Sequence, residues 1–325
     1  MLISLFLGVY LVILVILIYS LFFGSCSVHK HGYFHAMYLY LTRNIPDAFH
    51  SFIFAITPRL TRKHTAKNKR KTKKYVPYLI LLSYYTLYHL IAIVFLIKVY
   101  PSISEFVDRP EYYQMATYCL IIGPWLVFIV LQIVDPGVIN KDNVNFYMDL
   151  YPYDNIIYKK CLCKVFEIPA VARSRYCEFT QQRVARYDHF SPLILQVVGE
   201  KNLRYYLLFI ILNICTNSFL LYISIRMIVW VFGEYIKPKI VNHSTLSVLL
   251  MTTSTFLKKE PFSIGLVLAL LIVNGGWVAF FAKQVYCISC NITFAERKEY
   301  NGVNFNFYDE GLIDNWKKVL FPTTF

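Results

Sequence analysis

Five stretches of this sequence are each long and apolar enough to cross a bilayer: Leu2–Phe23, Val76–Lys98, Thr117–Asp135, Tyr205–Val231 and Phe262–Ile288. A span needs about 20 residues as a helix. Inside lipid each backbone N–H and C=O has to be satisfied within the segment, which selects helix. Composition agrees, with 57% of 325 residues hydrophobic and only 16% charged, against about 25% charged in soluble domains. A single water-soluble core and a disordered chain are both excluded. The expected fold class is an all-α multi-pass membrane protein with about five transmembrane helices. Leu2–Phe23 lacks a charged leading segment and exceeds the about 7–15 apolar residues of a cleaved signal, so it reads as a retained anchor. Ser244–Leu257 is apolar but short and rich in Thr and Ser, as suits an interfacial amphipathic piece.

Loop charge sets the expected orientation. The chain has 33 Lys+Arg against 19 Asp+Glu, and Arg59–Lys74 alone carries nine Lys/Arg and no acid. Lys and Arg beside span ends accumulate on the cytoplasmic side. The same run suits anionic lipid headgroups, at roughly 1 kcal/mol per basic residue. Nucleic acid is excluded as its partner, because no stacking aromatics or recognisable fold accompany the charge. Pro101–Ala116, with Arg109 against Glu105, Asp108 and Glu111, then faces the lumen, and Val138–Arg204, with ten Lys/Arg, the cytoplasm. The sequon at Asn242 falls in the expected lumenal loop, which makes Asn242 a candidate glycosylation site. The organisation expected is an anchor over 1–24, a cytoplasmic basic loop over 25–75 and a transmembrane hairpin over 76–137. A cytoplasmic domain over 138–204, a second hairpin with its lumenal loop over 205–288 and a cytoplasmic tail over 289–325 follow. Within the spans, Arg226 is expected to snorkel to the interface, and Asn213, Asn217 and Asn274 to bond across helices. No series of ionisable residues marks a proton path, so transport is a poor reading.

Four motifs sit on the expected cytoplasmic side. Asp135-Pro136-Gly137 closes the third span. Cys163 to Asn202 contains Cys177, Asp188-His189-Phe190-Ser191-Pro192, Gly199 and Asn202. Thr293-Phe294-Ala295-Glu296 follows the last span, and Asn306-Phe307-Tyr308 leads on to Gly311, Asn315 and Trp316. Each has a plainer reading alone: Pro and Gly end any helix, and Tyr308 and Trp316 suit a membrane interface. Together and in this order, over residues 76 to 321, they resemble the DHHC family of palmitoyltransferases, with DHFS in place of DHHC.

That resemblance implies a multi-pass fold with a cysteine-rich cytoplasmic loop between the third and fourth spans, and transfer of a long-chain acyl group from acyl-CoA to protein cysteines. It implies that Asp188 orients His189 as base, that the nucleophile position is Ser191, and that eight loop positions answer to ligands of two structural zinc ions. Those eight positions here are Cys163, Phe166, Tyr176, Cys177, Thr180, Arg183, Phe190 and Val197. Only Cys163 and Cys177 can ligate, whereas a structural zinc takes four Cys/His ligands. No zinc or other cofactor is therefore expected, and an apolar core is expected where the family has metal.

A serine hydroxyl needs a well-placed base, and its ester is a poorer acyl donor to a thiol than a thioester is. Three readings follow. One is family activity through Ser191 or another cysteine. The second is a pseudoenzyme scaffold that binds acyl-CoA or client membrane proteins. The third is an acyl-CoA hydrolase using Asp188, His189 and Ser191. Losing the nucleophile and the metal ligands together favours the scaffold. The eight cysteines are expected reduced, and the C-x-x-C of Cys287 and Cys290 reads as a redox pair, a metal half-site, acylated juxtamembrane thiols or unmodified thiols. A multi-pass chain of this topology suits the endoplasmic reticulum or Golgi.

Overall fold

The structure is a computed structural model, and it describes residues 32–33, 66–163, 165–237, 245–300 and 306–322. The expected first span Leu2–Phe23, residues 59–65 of the basic run and Asn242 lie outside the described residues. The elements in chain order are α1 (Ala66–Lys98), α2 (Ile103–Phe106), α3 (Pro110–Ile133) and α4 (Val144–Leu150). Four short strands follow: β1 (Arg175–Cys177), β2 (Gln182–Val184), β3 (His189–Ser191) and β4 (Gln196–Val198). The chain continues through α5 (Leu203–Ile236), α6 (Thr245–Lys259), α7 (Pro261–Ser289) and α8 (Leu312–Leu320).

Among the described residues four segments are long and apolar enough to cross a membrane: Tyr75–Phe106, Pro110–Ile133, Leu203–Ile236 and Pro261–Ser289. Each overlaps an expected span and runs past it at one or both ends. Pro110 and Pro261 begin their helices, where a missing N–H costs nothing. The outer faces present Leu82, Ile97, Ile133 and Ile272 at 65–79% exposure. In water such a surface would be a liability, whereas lipid tails solvate it. The protein is a multi-pass helical membrane protein.

The chain divides into two compact units. The first, formed by 84–126 and 210–280 among its described parts, packs Ile91, Phe95, Val99 and Ile103 against Leu220, Ile223, Met227, Leu266 and Leu270. Polar groups cross between its helices: Tyr84 Oη donates to Asn213 Oδ1 (2.6 Å), Thr216 Oγ1 to the Leu120 carbonyl (2.7 Å) and Asn274 Nδ2 to Ser218 Oγ (2.9 Å). Asn213 and Asn274 therefore bond across helices as expected. Asn217 does not; its Nδ2 donates to the Asn213 carbonyl one turn back on α5. Arg226 is also fastened rather than snorkelling free, since its Nη2 donates to the Phe106 carbonyl (2.8 Å), an acceptor otherwise left open at the end of α2. A small cavity of about 20 Å³ lies between these helices, lined by Tyr84, Tyr88, Ile91, Leu220, Val273 and Trp277.

The second unit includes 127–209 and 281–322. Its loop is not helical: β1 pairs antiparallel with β2 (Tyr176 opposite Arg183) and β3 with β4 (Phe190 opposite Val197). The helical multi-pass expectation holds, and the expected loop adds two small hairpins to it. Asp135-Pro136-Gly137 and Gly199-x-x-Asn202 brace them. Asp135 Oδ1 accepts from the N–H groups of Gly137 and Val138 (both 3.0 Å), and Gly137 takes φ +101°, which glycine adopts without strain. Gly199 passes so close to Pro136 and Val184 that a Cβ there would lie 2.4 Å from Val184 Cγ1. Its N–H donates to Asn202 Oδ1 (2.8 Å), and Asn202 Nδ2 donates to the Val197 carbonyl (2.8 Å), tying β4 to the start of α5.

Candidate active site

Residues i and i+2 of a strand share a face, so β3 presents His189 and Ser191 together and turns Phe190 the other way. Phe190 packs into a cluster with Cys177, Val184 and Val197. Asp188, just before the strand, is buried. It accepts His189 Nδ1 at 2.7 Å and Gln284 Nε2 at 3.2 Å on Oδ2, and the Phe294 N–H at 2.8 Å on Oδ1. Burial alone would raise its pKa. The hydrogen bond and charge of His189, with the donors of Phe294 and Gln284, win instead and hold the carboxyl below its ordinary value.

An ionised Asp188 accepts only, so His189 Nδ1 carries the hydrogen and Nε2 is left as the acceptor. Nε2 lies 3.3 Å from Tyr206 Oη, and Tyr206 Oη lies 3.1 Å from Ser191 Oγ. The His189 side chain is 17% exposed, and Ser191 is 1% exposed. Phe294 closes a further side of the imidazole, 5.6 Å between ring centroids, and Lys283 Nζ sits 3.9 Å above the Phe294 ring. The structure thus brings Asp188, His189 and Ser191 together. It adds two residues that sequence reasoning missed, Tyr206 and Gln284. Both lie inside apolar runs, where an aromatic or an amide reads as span filler.

The remaining motifs converge on a second, adjoining cluster. Arg173 (φ +58°) is buried and grips Glu296 at two points, Nε to Oε1 (2.9 Å) and Nη2 to Oε2 (2.8 Å). It also donates to Asn291 Oδ1 and the Asn291 carbonyl, with its guanidinium 4.6 Å from the Tyr308 ring. Thr293 and Glu296 exchange bonds, Thr293 N–H to Glu296 Oε2 (2.7 Å) and Glu296 N–H to Thr293 Oγ1 (3.2 Å), the reciprocal pattern of a capping box. Burial would raise the Glu296 carboxyl, but Arg173 and these donors hold it below its ordinary value. Tyr308 is not an interfacial aromatic: its Oη donates to the Pro152 carbonyl (2.9 Å), and its own carbonyl accepts from Asn291 Nδ2. Asn306 Nδ2 donates to the Cys290 carbonyl, Asn315 Nδ2 to the Ser289 carbonyl and Trp316 Nε1 to Ser289 Oγ, while Gly311 takes φ +93°. The tail motif therefore fastens residues 306–316 to the end of α7.

Seven of the eight positions aligned with the family's zinc ligands, all but Thr180, fall in two groups whose side chains do not fit the metal. In one, Cys163 is paired with the cationic Arg183, which with backbone donors lowers a thiol that burial would raise. The Phe166 and Tyr176 rings meet edge to face at 5.9 Å, and Tyr176 is the strand partner of Arg183. In the other, Cys177 packs with Val197 and Phe190, and Phe190 stacks on Phe179 at 4.6 Å. Each group offers one thiol, with a guanidinium or aromatic rings where a tetrahedral zinc takes further sulfur or nitrogen ligands. Among the described residues no three His, Cys, Asp or Glu side chains are placed to share a metal ion.

Fold and site together define a membrane-embedded helical protein carrying an Asp-His dyad and a buried serine on a small β loop. Residues 156–301 match the DHHC palmitoyltransferase family. The chain is 22% identical over 241 residues to palmitoyltransferase ZDHHC4 of Bos taurus, covering 66% of this chain and 69% of that one. It is 27% identical over 181 residues to palmitoyltransferase SWF1 of Yarrowia lipolytica, covering 54% and 46%. With the probable protein S-acyltransferase 6 of Arabidopsis thaliana it shares 27% over 172 residues, covering 51% and 37%. It thus spans less than half the length of two of these relatives. The chain thus resembles the DHHC-type palmitoyltransferases, through the domain matched over residues 156–301.

Proposed function

We propose that this protein takes a long-chain acyl group from acyl-CoA onto Ser191, with His189 as base and Asp188 fixing its tautomer. The observation that carries this reading is the 2.7 Å Asp188–His189 pair on a buried, ionised carboxylate, aimed at the same face as Ser191. Ser191 Oγ attacks the thioester carbonyl, an O–C bond forms, the C–S bond breaks, and the proton leaves Oγ for the departing sulfur by way of His189. The products are acyl-Ser191 and CoA thiol. Onward transfer to a protein cysteine, the reaction implied by the names of the relatives, is hampered at its second step, because an oxygen ester is the poorer donor. Water is then the competing acceptor, which is the hydrolase route.

The loop works without zinc in this proposal, its two ligand groups being replaced by the Cys163–Arg183 pair and the Phe190–Val197 core. The loop faces the cytoplasm of an endoplasmic reticulum or Golgi membrane, where client membrane proteins and acyl-CoA meet it.

A second reading, a scaffold that binds acyl-CoA or clients without turnover, is favoured by the 1% exposure of Ser191. One experiment separates the two: the purified protein is incubated with labelled acyl-CoA, beside Ser191→Ala and His189→Ala. Hydroxylamine-resistant label that disappears in Ser191→Ala supports the oxyester. Hydroxylamine-labile label assigns the acyl group to a cysteine. Retained acyl-CoA binding with neither label nor turnover establishes the scaffold.

A further inference from the structure

We infer that Tyr206 is the proton relay between Ser191 and His189, an inference that rests on the proposed acylation of Ser191. Tyr206 sits in the first turn of α5 and is 1% exposed. Its ring is accounted for by packing, edge-on to His189 at 5.3 Å and stacked with Phe209 at 6.4 Å. A phenylalanine would fill that volume equally well. The hydroxyl is different, because a buried phenol has to find a hydrogen-bond partner. It finds both functional side chains, His189 Nε2 at 3.3 Å and Ser191 Oγ at 3.1 Å.

The direction of the hydrogens follows from the donors and acceptors around Asp188 and His189. Asp188 is a carboxylate with three donors on it, so the His189 Nδ1 hydrogen points at Asp188 and Nε2 accepts. Tyr206 has one hydrogen, which goes to Nε2. Its oxygen is then left to accept the hydroxyl hydrogen of Ser191. Every hydrogen along Ser191–Tyr206–His189–Asp188 points toward the carboxylate, the arrangement a concerted transfer needs. As Oγ attacks the thioester carbon, its proton moves to Tyr206 Oη while the Tyr206 proton moves to Nε2. When the C–S bond breaks, the same hydroxyl returns a proton from the imidazolium to the sulfur. Tyr206 ends each transfer as the neutral phenol it began as, and neither oxidant nor reductant is required.

A thiol at position 191 would not need this help. Cysteine ionises near neutral pH and forms a thiolate beside a histidine, whereas a serine hydroxyl reacts only when a base takes its proton. This difference separates a relay from a packing role. The experiment compares four full-length proteins in detergent: wild type, Tyr206→Phe, Ser191→Cys and the double variant. Each is treated with labelled acyl-CoA and, separately, with a fluorophosphonate, which bonds to an activated serine oxygen through phosphorus and loses fluoride. The expected result is that Tyr206→Phe slows both reactions of Ser191 by about 100-fold or more, the scale of general-base catalysis, while Ser191→Cys is acylated at the same rate with and without Tyr206. Equal loss in the serine and cysteine backgrounds would show a packing role and overturn the relay. Unchanged labelling of Tyr206→Phe would overturn it too, with acylation of Ser191 left standing. If acyl-CoA leaves the wild type unlabelled but the fluorophosphonate labels it in a Tyr206-dependent way, the acylation reading falls and the relay stands. No fluorophosphonate reaction in the wild type would overturn the relay.

Discussion

Arg173 and Glu296, 123 residues apart in the chain, meet as a two-point ion pair with both side chains 1% exposed. A charge buried to that depth is stable only while paired and hydrogen-bonded. The pair carries the loop on one side and the segment after α7 on the other. Glu296→Ala leaves the Arg173 charge buried against neutral partners and is expected to cost about 3–5 kcal/mol, read as a fall in the unfolding midpoint of detergent-solubilised protein. Arg173→Lys also destabilises, since an ammonium cannot make both contacts. Adding Arg173→Met to Glu296→Ala should recover part of the loss, because the orphaned charge goes with it. A change of under about 1 kcal/mol in Glu296→Ala would show that the pair does not hold the tail.

Acid should release the same structure. Asp188 and Glu296 both ionise below their ordinary values of 3.8 and 4.5. A depressed carboxyl contributes stability that is fully present above the unfolded-chain value and is lost as pH falls through the folded-state value. The unfolding midpoint is therefore expected to be flat in this contribution above about pH 5 and to drop below it. Asp188→Asn removes one of the two titrating groups and should make the acid limb shallower. An acid limb as steep in Asp188→Asn and Glu296→Gln as in the wild type would assign it to other groups.

How much of this was legible in the sequence depended on the range of the signal. Apolar runs announce themselves residue by residue, so the four described spans were readable, with ends off by a few positions because helices continue into polar flanks. The hairpins were not, since three-residue strands such as His189–Ser191 are too short to show alternation. Asp188, His189 and Ser191 stood out because they lie together in the chain. Tyr206 and Gln284 did not: their meaning comes from β3 lying against the starts and ends of α5 and α7, a contact no local pattern encodes. Asn291, which joins Arg173 to Tyr308, was hidden for the same reason.

Gly199 tests whether the close approach of the Pro136 and Ala185 backbones and the Val184 side chain is required. An added Cβ would stand 2.4 Å from Val184 Cγ1, 2.6 Å from the Pro136 carbonyl oxygen and 3.0 Å from that of Ala185. Two of these neighbours are backbone, and the Gly199 N–H is held by Asn202, so the strand has little room to retreat. Gly199→Ala should destabilise by about 1–3 kcal/mol, the usual cost of overpacking. Gly275→Ala is the control, because nothing lies within 4 Å of its added Cβ. Equal unfolding midpoints for the two variants would refute the tight contact.

A loop that holds together without zinc, as proposed, makes a distinct demand on chelators. If Val197 (0% exposed) and Phe190 form a core with Cys177, then stripping metal has nothing to remove. Elemental analysis of the purified protein should find no stoichiometric zinc, and a strong chelator should leave the unfolding midpoint and the protease resistance of the loop unchanged. Val197→Asp, by contrast, forces an unpaired charge into the apolar group and should unfold the loop in the absence of any chelator. Cys177→Ser separates the two accounts most sharply. In a zinc site it deletes a ligand and abolishes binding. In an apolar core it exchanges a buried thiol for a hydroxyl, with a cost of about 1–3 kcal/mol and no change in metal content. Stoichiometric zinc that chelation removes together with the fold would overturn this account, and Cys163 and Cys177 would then have to be ligands completed by residues outside both groups.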